Sequence, residues 1–205
     1  MERIPNADYM VEDGHLGGYM HSGDPATHMP YLWRFLAEKF NVNKMLDIGC
    51  GRGFTLEFFK SIGVNVLGVD GCKQAIETSL VPEAVILHDY SKGSFKPEIS
   101  DFDLAWSCEF VEHVEEKYAA NYIATFQTAR HLAMTFAGPG QIGHHHVNCQ
   151  PAQYWIELLG KYGFQYDEEV TQLLRQVTAA DALKYNSQYR DNHFINRGLY
   201  FINNK

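Results

Sequence analysis

The stretch Met45-Leu46-Asp47-Ile48-Gly49-Cys50-Gly51-Arg52-Gly53-Phe54 constrains the fold of this chain more than any other. Met45 to Ile48 is a short apolar run that predicts a strand, and glycines at alternate positions follow it. Phe54 to Ser61 then returns to helical spacing. Strand, glycine turn and helix together are how an open α/β sheet presents a ligand site at the carboxyl end of a strand. Glycine suits such a turn because it accepts positive φ and lets the backbone come close to a ligand.

The same alternation continues on both sides of the loop. Leu32, Phe35, Leu36 and Phe40 predict a helix over His28 to Phe40, with Pro30 in its first turn. Asn65–Val69 is a second strand ending in Asp70-Gly71, Lys73–Leu80 a helix, and Ala84–Leu87 a third strand ending at His88-Asp89-Tyr90. Phe102–Trp106 is a fourth strand, Val114 to Arg130 a long helix, and His131–Phe136 a fifth strand. A helix from Pro151 to Tyr162 stops at Gly163, Phe164–Tyr166 is a sixth strand, and a helix over Glu168 to Tyr185 precedes a last strand, Gly198–Ile202. Strands alternating with helices predict a doubly wound α/β sheet, mostly parallel, with helices on both faces. Met1 to Thr27 has glycines and scattered aromatics without periodicity, a candidate flap over a site.

A chain of 205 residues is enough for one well-cored domain. The expected division is therefore a single domain over 1–205, with the flap at 1–27 and the core at 28–205. A formal net charge of -8 and the lack of a long Lys/Arg cluster give no strong nucleic-acid signal and favour a small-molecule substrate. Cys50, Cys72, Cys108 and Cys149 form no Cys-x-x-Cys pair, Met1 opens no basic-then-apolar leader, and no apolar run is long enough for a membrane span. A soluble, cytoplasmic protein with no membrane partner is the expectation. Nothing in the sequence sets its oligomeric state.

The glycine loop narrows the ligand. A dinucleotide fingerprint would place Gly or Ala at position 54, where this chain has Phe54. Asp47 just before the turn would sit poorly beside a pyrophosphate and well near a cation. Asp70 ends the second strand where a carboxylate accepts hydrogen bonds from ribose hydroxyls, and Asp89-Tyr90 ends the third, where an adenine can be met. An adenosyl ligand with positive charge and no phosphate fits these residues better than a nicotinamide dinucleotide.

At these positions the chain resembles the class I, Rossmann-like S-adenosylmethionine-dependent methyltransferases, of the small-molecule type. Leu46-Asp47-Ile48-Gly49-Cys50-Gly51-Arg52-Gly53 is similar to the family's first motif. Gly68-Val69-Asp70 is similar to the second, and Asp103-Leu104 through Glu112-His113-Val114 to the fourth-strand region. The resemblance implies a seven-stranded sheet whose last strand is antiparallel. It implies that Asp47, Gly49, Cys50, Gly51 and Gly53 surround the methionine end of the cofactor and that Asp70, with Gly71, meets the ribose. Asp89 and Tyr90 would meet the adenine, while Ser107, Cys108, Glu109 and His113 would complete the floor.

Methyl transfer from a sulfonium is an in-line displacement, so the protein must align the partners and exclude water. A proton-bearing acceptor also benefits from a base. Gly143-His144-His145-His146-Val147-Asn148 supplies the candidates His144, His145 and His146, with Glu109 as a fourth. A metal held by His144 and His146 with Glu109 or His113 is a rival that the spacing does not demand, and none is assigned. Tyr154 and Trp155 suit either a substrate wall or a packed helix face.

The expected activity is O-methylation of a small molecule or sugar derivative, converting S-adenosylmethionine to S-adenosylhomocysteine. A protein or RNA methyltransferase, a dinucleotide-dependent oxidoreductase and a non-catalytic cofactor-binding protein are the alternatives. Ser107-Cys108-Glu109-Phe110 stands where many amino-group methylases of nucleic acid carry an Asp/Asn-Pro-Pro-Tyr/Phe motif.

Overall fold

In the computed structural model, residues 9–10, 14–185 and 192–204 are described. Seven strands form one sheet: β3 (Lys44–Ile48), β4 (Asn65–Asp70), β5 (Val85–Leu87), β6 (Phe102–Ser107), β7 (Ala129–Met134), β8 (Phe164–Tyr166) and β9 (Leu199–Asn203). Their order is β5-β4-β3-β6-β7-β9-β8. The first five run parallel, and β9 is antiparallel to both β7 and β8. This is the expected architecture, with the last strand in sequence inserted next to the sheet's edge. A separate antiparallel pair, β1 (Tyr9–Met10) and β2 (Tyr19–Met20), lies in the segment expected as a flap. Residues 1–8 and 11–13 of that segment fall outside the described residues.

The central strands are buried on both faces, so side-chain alternation divides them between two cores. Leu46 and Ile48 pack on one face with Ala105, Leu132 and Met134, under α4 (Ala119–Phe126) and α5 (Ala152–Lys161). Met45, Leu104, Trp106 and Ala133 pack on the other, under α1 (Pro30–Lys39), α2 (Phe54–Ser61), α6 (Glu168–Tyr185) and α7 (His193–Arg197). On this second face Trp106 lies parallel to Phe194 at 5.6 Å and edge-on to Trp33 at 6.5 Å. Such geometries add to what burial of the rings supplies. The N-terminus of α1 has no cap of its own. Asp181 of α6 accepts the Tyr31 and Leu32 N–H groups at 2.9 and 3.0 Å, which ties the two helices together.

Several sequence-based boundaries move. The long helix expected over Val114 to Arg130 is instead a 3-10 turn at Val111–His113, another at Glu116–Tyr118, and the short α4. Val147 and Asn148 donate their N–H groups to the Glu112 carbonyl at 2.9 and 3.1 Å, occupying an acceptor that a continuing helix would need. Val114 and Glu115 are correspondingly extended. β7 starts at Ala129, two residues earlier than expected. The helix α3 (Lys73–Glu77) stops short of Leu80, whose N–H turns to the Arg52 carbonyl at 2.9 Å. α7 was not legible as a helix. Asn192 starts it by accepting the Phe194 and Ile195 N–H groups.

Candidate active site

Parallel strands bring the carboxyl ends of β3 through β7 to one edge of the sheet, where a cavity of about 1800 Å³ opens. The loop after β3 is shaped by β4. Gly49 and Cys50 both donate to the Val69 carbonyl, at 2.8 and 3.3 Å, and Gly51 donates to Asp70 Oδ2 at 2.7 Å. Gly49, Gly51 and Gly53 have φ of +78°, +52° and +82°, so the turn uses the conformational freedom that glycine alone supplies cheaply. Gly49 is also tight: a Cβ there would lie 2.6 Å from the Phe110 ring.

Asp47 and Asp70 face the cavity from adjacent strands, and burial raises both carboxyls above their ordinary range. The nearby Asp70 pushes Asp47 further up. Asp70 is partly relieved by N–H groups of Cys72, Gly51 and Gly71. Two buried carboxylates side by side favour a ligand that brings positive charge. Asp89 is set differently. Burial would raise its carboxyl, but hydrogen bonds from His15 at 2.7 Å and from the Ser91 N–H at 2.8 Å hold it below the usual carboxylate range.

Of the sequence-predicted positions, Gly49, Cys50, Gly51, Asp70, Gly71, Asp89, Tyr90, Cys108, Glu109, His113, His144, His145 and His146 line the cavity together with Asp47. Gly53 and Ser107 do not. Gly53 precedes α2, and a Cβ there would meet Val81 at 3.0 Å. Ser107 is buried and donates to the Ile48 carbonyl at 2.9 Å, stitching β6 to β3 below the floor. Tyr90 reaches the cavity from the core, with its hydroxyl donating to Thr125. Burial pushes the Cys50 and Cys108 thiols well above their ordinary range, which suits packing and opposes a nucleophilic role. Tyr154 donates its hydroxyl to Glu116, while Trp155 is core.

Glu109 sits in a left-handed conformation, φ +53°, with its side chain fully engaged. Its Oε1 accepts from the Thr135 hydroxyl at 3.0 Å, and its Oε2 lies 3.0 Å from His193 Nδ1. His193 Nε2 in turn faces Asp24 Oδ2 at 3.6 Å. Burial alone would lower the His193 imidazole, but its two carboxylate partners carry it up to about 9. At neutral pH His193 is therefore an imidazolium held against the Glu109 carboxylate, which the imidazole in turn keeps below its usual range. Neither Asp24 nor His193 stands out in the sequence, because no motif or spacing links residues so far apart.

The segment over residues 14–27 lies on this cavity. Gly17 packs against the His113 ring, Gly23 against Phe54, and Gly71 against Leu16. Arg52 holds the segment from below, donating from Nη1 to the His21 carbonyl and from Nε to the Thr78 carbonyl at 2.9 Å. Across the mouth, the histidine loop presents His144 exposed and His145 half-buried at φ +48°, while His146 turns toward His113, ring centroids 5.0 Å apart. Burial, then the neighbouring His144, lowers the His145 imidazole, which leaves its lone pair available at neutral pH.

Residues 46–125 match the family described as a methyltransferase domain. The chain is 32% identical over 102 residues to the mitochondrial ubiquinone biosynthesis O-methyltransferase of Schizosaccharomyces pombe, covering 44% of this chain and 36% of that protein. It thus spans about a third of the length of the curated relatives it matches. A TehB-like SAM-dependent methyltransferase from Corynebacterium glutamicum superposes with a TM-score of 0.55 at 20% identity, over 67% of this chain and 74% of that one. Magnesium protoporphyrin IX methyltransferase from Synechocystis, solved with bound SAM, gives 0.52 at 16% identity over 67% of each chain. No helix among the described residues is long and apolar enough to cross a membrane. Residues 46–125 are thus similar to a methyltransferase domain, and the seven-stranded sheet is that of the Rossmann-like methyltransferase fold.

Proposed function

We propose that this protein transfers a methyl group from S-adenosylmethionine to a hydroxyl oxygen of a small molecule. The observation that carries the reading is the pair of buried, cavity-facing carboxylates, Asp47 and Asp70, beside a phosphate-unfriendly glycine turn. A cationic adenosyl ligand fits that lining: Asp47 and the Gly49–Gly51 backbone would hold its methionine end, Asp70 its ribose, and Asp89 with the Ser91 N–H its adenine. The relatives named as O-methyltransferases support oxygen as the acceptor atom.

When bound, S-adenosylmethionine would supply an electrophilic methyl group on a sulfonium that becomes a neutral thioether once the methyl is transferred. The chain's own residues do the rest. His145, kept neutral by burial, takes the acceptor's hydroxyl proton, so that oxygen forms the new bond to carbon as the old sulfur–carbon bond breaks. Glu109, locked between Thr135 and His193, positions the floor. Residues 14–27 act as the flap that excludes water.

Calorimetric titration with S-adenosylhomocysteine tests the cofactor assignment. Wild-type protein binds it, and Asp70→Asn binds at least tenfold more weakly, the equivalent of about 1.4 kcal/mol or more for a charge-assisted bond. Absence of binding to folded wild-type protein would sink the proposal. Once an acceptor is in hand, His145→Ala is expected to lower kcat by about 10²-fold or more while cofactor affinity holds. An unchanged kcat would move the base elsewhere.

A further inference from the structure

Arg197 closes α7 and lines the cavity, yet methyl transfer leaves its charge without a task. Among the described residues its guanidinium forms no ion pair, and its polar contact is Nη2 to His193 Nδ1 at 3.2 Å. Its Nε is buried without a described partner. The His193 contact does not satisfy it. His193 Nδ1 lies 3.0 Å from Glu109 Oε2, and a carboxylate oxygen only accepts, so the proton on Nδ1 points at Glu109. Nδ1 then has no lone pair for Arg197. Two cationic side chains meet, and one of them has no counter-charge in contact. A desolvated charge in that state is costly unless an anion joins it.

The carboxyl groups nearby are committed elsewhere. Glu109 gives Oε1 to the Thr135 hydroxyl and Oε2 to His193, and Arg197 acts on it only through space. Asp24 Oδ1 accepts the Ala26 N–H at 2.8 Å, while its Oδ2 faces the far nitrogen of His193. A cavity arginine that no carboxylate takes up stands out in a chain of net charge -8. Its backbone is also firmly placed. Phe194 stacks on Trp106, a Cβ at Gly198 would lie 2.3 Å from the Phe194 ring, and Arg175 Nε donates to the Gly198 carbonyl at 3.0 Å.

The position along the sheet separates Arg197 from the adenosyl side of the cavity. Asp47, Asp70 and Asp89 stand at β3, β4 and β5, whereas Arg197 leads into β9, whose Leu199 pairs with Met134 at the end of β7. β6 and β7 lie between β3 and β9. Strands spaced about 4.8 Å apart put roughly 14 Å between β3 and β9. With the cofactor over β3 to β5, this is the acceptor's end of the cavity.

We propose that Arg197, beside His193, binds a carboxylate of the methyl acceptor, so that the acceptors are small hydroxy acids. The planar guanidinium offers paired N–H donors that match the two oxygens of a carboxylate. A primary amide answers with one oxygen and no charge. Anchoring the acid group at α7 leaves the hydroxyl end of the molecule to meet the methyl group. An acid should therefore be preferred to its own amide by about 30-fold or more in kcat/KM. The acceptor class rests on the methyl-transfer reading; carboxylate binding at Arg197 stands apart from it.

The test uses the full chain, labelled with ¹⁵N at histidine, loaded with S-adenosylhomocysteine and titrated with benzoate or with benzamide at constant ionic strength. His193→Gln assigns the His193 ring signals. Benzoate is expected to move those signals saturably, with a millimolar dissociation constant, and benzamide to leave them in place. Arg197→Gln should weaken the benzoate response by about tenfold or more, and Arg197→Lys should restore part of it. No saturable response in wild-type protein overturns the proposal, as does an equal response to benzamide or one that Arg197→Gln leaves intact. Benzoate that S-adenosylhomocysteine displaces would assign Arg197 to the cofactor's own carboxylate and overturn the acceptor site. Should Arg197→Gln fail to fold, the benzoate and benzamide contrast, with Arg197→Lys, reads the same site. S-adenosylhomocysteine binding without a benzoate response would sink this inference alone. A benzoate response in protein that binds no S-adenosylhomocysteine would sink only the cofactor assignment.

Discussion

Gly49→Ala is expected to destabilise the protein by about 3 kcal/mol, whereas Gly51→Ala, two residues away, costs about 1 kcal/mol. Both positions have positive φ, so each alanine pays the left-handed penalty of about 1–2 kcal/mol. They differ in their surroundings. A Cβ at Gly49 would lie 2.6 and 2.7 Å from Phe110 ring and Cβ atoms, and Phe110 is itself packed edge-on against Tyr90 and Tyr122. Displacing that wall adds an overpacking cost of about 1–3 kcal/mol. At Gly51 the nearest neighbour is Tyr19 Cβ at 3.8 Å, ordinary contact. For a chain of this size the Gly49 effect corresponds to a melting temperature lower by roughly 10 °C. Thermal denaturation of the two variants side by side is the check. Equal losses would show that backbone conformation alone sets the cost.

Stability should also fall on the alkaline side because of the trio Asp24, His193 and Glu109. The His193 imidazole titrates at about 9 in the folded protein, above its ordinary value near 6.5. A group whose folded pKa is raised contributes fully below the unfolded pKa, and that contribution drains as pH rises through the folded pKa. The loss therefore falls between about pH 6.5 and pH 9 and amounts to about 3 kcal/mol, counted once for the linked groups. His193 is only 16% exposed and Glu109 17%, so solvent screens the pair little. Urea midpoints at pH 6.5 and pH 9.5 measure the drop in wild-type protein. His193→Gln should begin less stable at pH 6.5 and vary little across the same interval. A variant that keeps the wild-type slope would assign the pH dependence to other groups.

The frame of the fold was legible because burial on both sheet faces leaves compact apolar runs. Met45–Ile48 and Phe102–Trp106 lie within one residue of the observed β3 and β6, and Phe54–Ser61 is α2 itself. Asp70 and Asp89 were legible as cavity-facing because strand ends in a parallel sheet share an edge. Errors arose where a tertiary partner overrides local preference. The stretch after His113 has helical composition, yet the Glu112 carbonyl is taken by the histidine loop and the helix starts only at Ala119. Within the site, the histidine run was conspicuous but its division of labour was not. Only folding shows that His146 turns inward to His113 while His144 stays outside. Glu112 could be named from its dipeptide, but its complete burial depends on side chains distant in sequence. His193 was invisible for a simpler reason: its partners come from residues 24 and 109.

The glycine loop has its shape because the next strand holds it: Val69 and Asp70 receive the N–H groups of Gly49, Cys50 and Gly51. That dependence matters to anyone recombining such domains. A donor loop grafted alone onto this chain would meet a carbonyl and a carboxylate set for a different turn. The exchangeable module is therefore the whole run from Lys44 to Asp70, loop, helix and both strands together, with the crossover points placed where those N–H groups no longer reach.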